Sequence, residues 1–149
     1  MYSSSCLVSD HIASFRTLLQ NALEMGAFLV NCHSGHDSWN VEKGLNYFQQ
    51  ALAIEKELVH ENELFKHVLV VHETHRQRLL YSPYQTLELL SLPELKELKV
   101  NADLSHWVFN DLYSKFDITQ KFHSRFVFAN MYSTRPILVT RGGAELFKC

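Results

Sequence analysis

Residues 27–33 read Ala-Phe-Leu-Val-Asn-Cys-His, and the prediction of the fold begins with this stretch. A short apolar run that passes into polar side chains is typical of a buried strand in a parallel sheet, with its carboxyl end at His33. Residues 10–26 before it carry apolar side chains at spacings of three and four, with Asp10 placed to cap a helix and Gly26 to end it. The stretch therefore predicts a helix followed by a strand.

The same alternation continues along the chain. The predicted elements are a helix capped by Asn40 with Leu45, Phe48 and Leu52 on its apolar face, a strand at 68–71, a short helix at 85–90 and a strand at 98–102. Strands separated by helices of this length pair in parallel through right-handed crossovers. We therefore expect an α/β fold with parallel strands and helices outside. Beyond Asn110, residues 125–129 and 137–140 also indicate strands, in an order that the pattern does not define.

Composition predicts one globular domain over residues 1–149, because 46% of the residues are hydrophobic and 20% are charged. The net charge is −2 and no block of Lys or Arg occurs, so a nucleic-acid partner is not indicated. The three cysteines form no CxxC pair, which favours a reduced setting. Without a signal-like or membrane-spanning run, we expect a soluble cytoplasmic protein with no membrane partner.

Polar residues cluster where the predicted strands end, which in parallel α/β folds is where ligands bind. Each strand end contributes one candidate ligand, in order His33, Glu73 and Asp103. Side chains alternate faces along a strand, so His33 shares a face with Asn31, and Asp103 with Asn101. Carboxylates with imidazoles suit zinc, manganese, cobalt or magnesium. The sequence predicts a divalent metal site and leaves the metal open.

Three short segments resemble successive strand-end motifs of the xylose-isomerase-like barrels: residues 30–35 (VNCHSG), 72–76 (HETHR) and 102–107 (ADLSHW). That superfamily contains sugar and sugar-phosphate isomerases and epimerases, and a related zinc-dependent endonuclease of abasic-site repair. The resemblance covers about residues 10–108. It implies an incomplete (β/α) TIM barrel, roughly its third to fifth or sixth βα units, followed by a divergent segment at 109–149.

The resemblance also implies roles for individual residues. Glu73 and Asp103 would be metal ligands, and Glu73 and His106 would be catalytic, with His106 on the substrate or on a second metal. The residues implied to line the substrate are His33, His75, Arg76 and Trp107. The expected activity is metal-dependent isomerisation or epimerisation of a sugar or sugar phosphate, in which carboxylates move a proton between adjacent carbons. The alternatives are an abasic-site endonuclease and a non-enzymatic remnant.

The family pattern is not complete in this chain. The family places a further His and Glu on later strands, for which His123 with Arg125 and Glu145 are the nearest counterparts. Closed barrels typically need about 250 residues. We therefore expect a truncated product, a fragment or a half-barrel that needs a second copy or the missing half, so that activity and metal binding are both open.

Other polar and aromatic residues have two interpretations. Loop hydrogen bonding competes with a role in the site for His36, Asp37, His72 and His75. Contact with solvent competes with recognition of a substrate phosphate for Arg76 and Arg78. Packing under loops competes with lining a pocket for Trp39, Tyr81, Tyr84 and Trp107.

Overall fold

The computed structural model describes residues 6–103 and 106–107, and the backbone of three later strands. The helices are α1 (Val8–Glu24), α2 (Val41–Glu61) and α3 (Pro83–Ser91), with 3-10 turns at Glu63–His67 and Pro93–Leu95. The strands are β1 (Leu29–Cys32), β2 (Leu69–Glu73), β3 (Val100–Asn101), β4 (Phe126–Ala129), β5 (Pro136–Thr140) and β6 (Gly143–Glu145). Helices and strands alternate from α1 to β3, as the sequence predicts. No helix in the described part of the chain is long and apolar enough to cross a membrane.

The strands form one sheet in the order β1-β2-β3-β4-β5-β6. The first four strands pair in parallel, which confirms the α/β class. The last three pair antiparallel, in the part of the chain for which the sequence pattern defined no strand order. The reason is the length of the connections. Parallel neighbours need a crossover of about a dozen residues or more, and the segments that join β4 to β5 and β5 to β6 are shorter than that.

Helix α1 begins at Val8, so the prediction that Asp10 caps it is wrong. Leu7 is the N-cap residue and makes no side-chain capping bond, while Asp10 lies in the first turn, where a negative charge favours the helix dipole. The predicted end is confirmed. Gly26 has a φ of 70°, its N–H donates to Leu23 O at 3.0 Å, and the N–H of Ala27 donates to Ala22 O at 2.9 Å. These two bonds form a Schellman motif.

Helix α2 begins as predicted, because the Asn40 side chain accepts a hydrogen bond from Lys43 N at 2.9 Å. Its apolar face packs on α1, and an ion pair between Arg16 and Glu57 joins the two helices at the surface. The helix-facing residues of the first three strands complete the core, and they include Val30, Cys32, Val70, Val100 and Ala102. All have even numbers, so the odd-numbered positions are left for the opposite face of the sheet.

The loops after β1 and β2 lie against each other. The N–H of Leu79 donates to Ser34 O at 2.9 Å. Gly35 has a φ of 62°, and a Cβ built there would lie 2.8 Å from Leu79 Cβ and 3.0 Å from the Trp39 ring. Only glycine combines this backbone conformation with so close an approach. The contact brings the ends of the two strands together. Strand β3 is shorter than the predicted 98–102, because Leu98 is still in the turn before it, where its N–H donates to Leu95 O.

Candidate functional site

Glu73 is the last residue of β2 and the centre of the candidate site, with a side chain 12% exposed. The amide of Asn31 donates to Glu73 Oε2. The amide of Asn101 in turn donates to Asn31 Oδ1 at 3.3 Å. A chain of side-chain hydrogen bonds thus crosses the ends of β3, β1 and β2 and orients one carboxylate. The odd-numbered positions share this face, as the alternation predicted.

Three imidazoles surround this carboxylate. His33 Nε2 lies 3.2 Å from Glu73 Oε2, and the His33 and His75 rings stack with their centroids 4.2 Å apart. The His75 and His106 rings are also 4.2 Å apart and tilted by 49°. His75 therefore lies between the other two. Its Nδ1 lies 2.7 Å from the carbonyl oxygen of Arg76, which can only accept, so Nδ1 donates this hydrogen bond and Nε2 is the nitrogen left for a ligand.

Asp103 and His106 approach Glu73 from the segment after β3. His106 Nε2 is 3.6 Å from Asp103 Oδ2 and 3.9 Å from Glu73 Oε1. The Thr74 hydroxyl donates to the backbone oxygen of Asp103 at 2.9 Å, and His106 N donates to the same oxygen at 3.3 Å. Among the described residues, the buried His106 Nδ1 has no hydrogen-bond partner. The segment is thus fixed through its backbone, and its side chains converge on Glu73.

Two groups of side chains could each hold a metal ion: His33, Glu73 and His75, and Glu73, Asp103 and His106. Within each group the donor atoms lie within 4.8 Å of one another. One ion with bonds of about 2.0–2.2 Å can bridge donors up to about 4.4 Å apart, which covers the distances from Glu73 to His33 and to His106. Mixed imidazole and carboxylate donors fit zinc, cobalt or manganese. Glu73 belongs to both groups.

His33 is electrically suited to bind a cation. Partial burial lowers the pKa of His33 below its ordinary value, and the charges of His75 and Arg78 act in the same direction, while Glu73 opposes them. A lowered pKa leaves the imidazole neutral at neutral pH. A neutral imidazole has the lone pair that a metal requires.

A second cluster lies on the opposite face of the same strand ends. His72 is 1% exposed and lies between the rings of Phe15 and Phe48. Its Nδ1 is 2.6 Å from the Ser34 hydroxyl, which also hydrogen-bonds to Tyr47. Its Nε2 is 3.9 Å from Glu55 Oε1. His72 therefore has no access to a ligand, in keeping with the hydrogen-bonding interpretation of this residue.

The other predicted residues are placed as follows. Arg76 is exposed, and Trp107 is 3% exposed with its indole N–H donating to Leu80 O. His36 pairs with Asp37 at 3.0 Å, and Trp39 is part of the core. Tyr81 and Tyr84 are exposed. His123, Arg125 and the side chain of Glu145 lie outside the described residues. Substrate contacts of Arg76 and Trp107 stay predictions.

Sequence reasoning did not assign roles to Asn31 and Asn101. Both carry a recognisable signal, because the alternation places them on the same face as Glu73. For Arg78 the sequence left two interpretations open, contact with solvent and recognition of a substrate phosphate. Arg78 lines a cleft of about 590 Å³ beside β1, together with Asn31 and His33.

Comparisons with known proteins identify no relative of this chain. No family model, curated protein or solved structure matches it. The function is therefore argued from the site itself.

Proposed function

We propose that this protein binds a divalent metal ion at Glu73 and uses it to isomerise or epimerise a small sugar or sugar phosphate. One observation carries the proposal: three imidazoles and the carboxylate of Asp103, from the ends of three consecutive strands, converge on the oriented carboxylate of Glu73. Structural clusters of surface charges seldom combine so many metal-binding groups with partial burial. A partly buried cluster of titratable groups, in which burial lowers the pKa of His33, is typical of functional sites.

The reaction needs a proton to move between adjacent carbons. A bound divalent ion would polarise the substrate carbonyl and hydroxyl oxygens, which makes the neighbouring C–H more acidic. A base removes that proton, the electron pair of the C–H bond shifts to form an enediolate, and the proton returns to the adjacent carbon or to the other face. Glu73 and His106 are the groups proposed to move it, and positioned acid-base groups contribute about 10²–10⁴-fold.

The surrounding residues orient these two groups. Asn31 and His33 both contact Glu73 Oε2, which leaves Oε1 directed at His106. Thr74 fixes the backbone that carries Asp103. We further propose that β1 to β4 belong to a (β/α) barrel, since parallel strands with helices on one face and ligand-type residues at the carboxyl ends are its characteristic arrangement.

The metal site is tested by isothermal titration calorimetry of Mn²⁺, Co²⁺ and Zn²⁺ into the wild-type protein, Glu73→Gln and Asp103→Asn. We expect each substitution to weaken binding by about 100-fold or more, because it removes a charged ligand. Glu63→Gln is the matched control, since Glu63 is an exposed carboxylate paired with Lys66. Wild-type binding no tighter than that of Glu73→Gln would overturn the metal site.

Activity is tested separately by proton NMR in D₂O. Incubation of the metal-loaded protein with aldose and ketose phosphates should exchange the C–H next to the carbonyl for deuterium. Exchange should stop on addition of chelator and in Glu73→Gln. A metal-loaded protein that exchanges no proton in any tested sugar or sugar phosphate would contradict the isomerase proposal while leaving the metal site intact.

One observation favours a second candidate, hydrolysis of phosphodiesters at abasic DNA. Glu73 belongs to both metal-binding groups, and a carboxylate shared in this way is suited to bridge two ions about 3.5–4 Å apart, an arrangement used by hydrolases. Two bound ions per chain and chelator-sensitive cleavage of an abasic duplex would rank this candidate first. A folded chain that binds no metal would instead favour the non-enzymatic alternative.

A further inference from the structure

A cleft of about 590 Å³ is lined by residues of α1 and of β1, the first strand of the sheet. Helix α1 contributes its exposed side chains Ser14, Thr17 and Asn21, β1 contributes Asn31, and the two strand-end loops contribute His33 and Arg78. The volume is within the range of about 300–1,000 Å³ that is usual for small-molecule sites. The cleft is therefore large enough for a small sugar derivative.

The charge of the cleft is one-sided. Among the described residues that line it there is no Asp or Glu, whereas Arg78 is a permanent cation. Two carboxylates outside the lining act on residues within it. Glu73 Oε2 is bound by Asn31 and His33, and the charge of Glu55 acts on Cys32 and Tyr47.

On α1, the Ser14 hydroxyl donates to Asp10 O at 2.9 Å and the Thr17 hydroxyl donates to Ala13 O at 3.1 Å, so both can accept from ligand hydroxyls. The Asn21 amide can donate to ligand oxygens, and Phe15, Leu18 and Tyr47 add apolar surface. Arg78 is thus the group of the lining that attracts an anion.

Arg78 is held in a defined place. The backbone N–H of Arg78 donates to His75 O at 3.2 Å, and its backbone carbonyl accepts from Tyr81 N at 3.1 Å. The next residue, Leu79, is bonded to Ser34 O and fully buried. A guanidinium on a fixed backbone presents its N–H groups in the planar fork that matches phosphate and carboxylate oxygens.

The cleft also joins the Glu73 cluster. Asn31 and His33 line the cleft and contact the Glu73 carboxylate at the same time. A ligand with its charged group at Arg78 would therefore extend past these two side chains toward Glu73. The cleft and the proposed metal site are then two ends of one binding region.

We propose that this cleft is an oxyanion subsite, in which Arg78 binds the phosphate or carboxylate group of a small polyhydroxy substrate. The inference deepens the proposed function, because it restricts the substrate to anionic sugar derivatives and excludes neutral sugars as good ligands. The expectation that the ligand extends toward Glu73 rests on the proposed function. Binding of the anion is independent of that proposal, because Arg78 and the α1 residues belong to neither group of side chains that could hold a metal ion.

The test measures binding to protein that was stripped of metal with chelator and dialysed into phosphate-free buffer. The probes are glucose 6-phosphate, gluconate, inorganic phosphate and glucose, titrated by calorimetry. We expect at least one anionic probe to bind about tenfold or more tightly than glucose. Preference for glucose 6-phosphate over gluconate identifies a phosphate, and the reverse identifies a carboxylate. Equal binding of glucose and all anions, or no binding of any anion, would overturn the proposal.

Two variants test the position of the subsite. Arg78→Gln removes the cation, and Thr17→Asp adds a negative charge on an exposed helix face, where the substitution leaves the core unchanged. Both should weaken anion binding by about tenfold. Gln20→Asp, which adds the same charge to α1 outside the cleft lining, should change it by about twofold or less. Unchanged affinity in Thr17→Asp would sink the proposal even if Arg78→Gln failed to fold.

A comparison with Arg76→Gln separates the two arginines of the loop. Arg76 is exposed and does not line the cleft, so its loss should reduce anion affinity less than the loss of Arg78. An equal or larger reduction in Arg76→Gln would place the anion outside the cleft. Because metal binding is measured separately, a wild-type protein that binds metal but no anionic probe would contradict this inference and leave the proposed function standing.

Discussion

The two faces of the strand ends carry the same kinds of residue in opposite environments. On the face of the sheet opposite the helices, the partly buried side chains of Glu73 and His33 lie in contact beside the cleft. On the helix-facing side, His72 and Ser34 meet at 2.6 Å in the core. His72 and Glu73 are neighbours in the sequence. Alternation along one strand therefore decides whether a polar side chain faces a ligand or supports the fold.

On the helix-facing side, Ser34 and His72 support His33 and Glu73 on the opposite face. Ser34 directly follows His33, and His72 directly precedes Glu73. The bond between Ser34 and His72 therefore fixes the relative position of the two strand ends on which His33 and Glu73 lie. Buried polar groups that are hydrogen-bonded in this way specify a unique arrangement.

The largest expected difference between the faces is in thiol chemistry. Burial raises the pKa of Cys32, on the helix-facing side of β1, to about 12. At about pH 8 only about 10⁻⁴ of such a thiol is thiolate, so Cys32 should react with iodoacetamide about 10³-fold more slowly than an ordinary exposed thiol. Cys6 is exposed and serves as the internal reference.

Peptide mapping by mass spectrometry after timed alkylation measures the two rates separately. Full alkylation of Cys32 after unfolding in urea is the control that the site can be modified and detected. Labelling of Cys32 in the native protein as fast as that of Cys6 would show that the helix-facing side is open to solvent, and the contrast between the faces would fail.

The next largest effect is on stability. His72→Ala should lower the free energy of unfolding by about 3–5 kcal/mol, because it leaves a cavity between two aromatic rings and a buried hydroxyl without its partner. His33→Ala, the matched change on the opposite face, should lower the free energy of unfolding by about 1 kcal/mol or less. Urea denaturation followed by circular dichroism measures both. Similar losses of stability in the two variants would show that His72 supports the fold no more than His33 does.

A smaller effect on stability is expected at Gly35, in the loop after β1. Alanine there would need a positive φ and would approach Leu79 Cβ to 2.8 Å, so Gly35→Ala should cost about 2–3 kcal/mol. Gly26→Ala is the control, because Gly26 also has a positive φ but open space around it, and should cost about 1 kcal/mol. Thermal melting compares the two. Equal losses would show that the contact between the loops contributes nothing beyond backbone conformation.

Much of the fold could be predicted from local patterns. The Asn40 cap, the Gly26 stop and the alternation of helices and strands depend on residues close in sequence, and the structure has all of them. The Asp10 cap failed because α1 starts three residues earlier, at Val8, whose side chain packs against the core. The antiparallel pairing of β4 to β6 also could not be predicted, since strand direction depends on which segments meet in space.

The site divides in the same way. Strand-end position and parity brought forward His33, Glu73 and Asp103 from the sequence, and these residues lie together in the structure. The contacts of Asn31 and Asn101 with the site, and the entry of Arg78 into the cleft, depend on register and on the shape of a loop.

By itself, the sequence determined which residues lie at strand ends and on which face, because side-chain alternation is a property of the extended backbone. Only the tertiary structure decided that Glu73 belongs to two groups of side chains that could hold a metal ion, that His72 supports it from the core, and that Arg78 lines the cleft. Distances between strands and between loops are set by packing, which no single segment encodes.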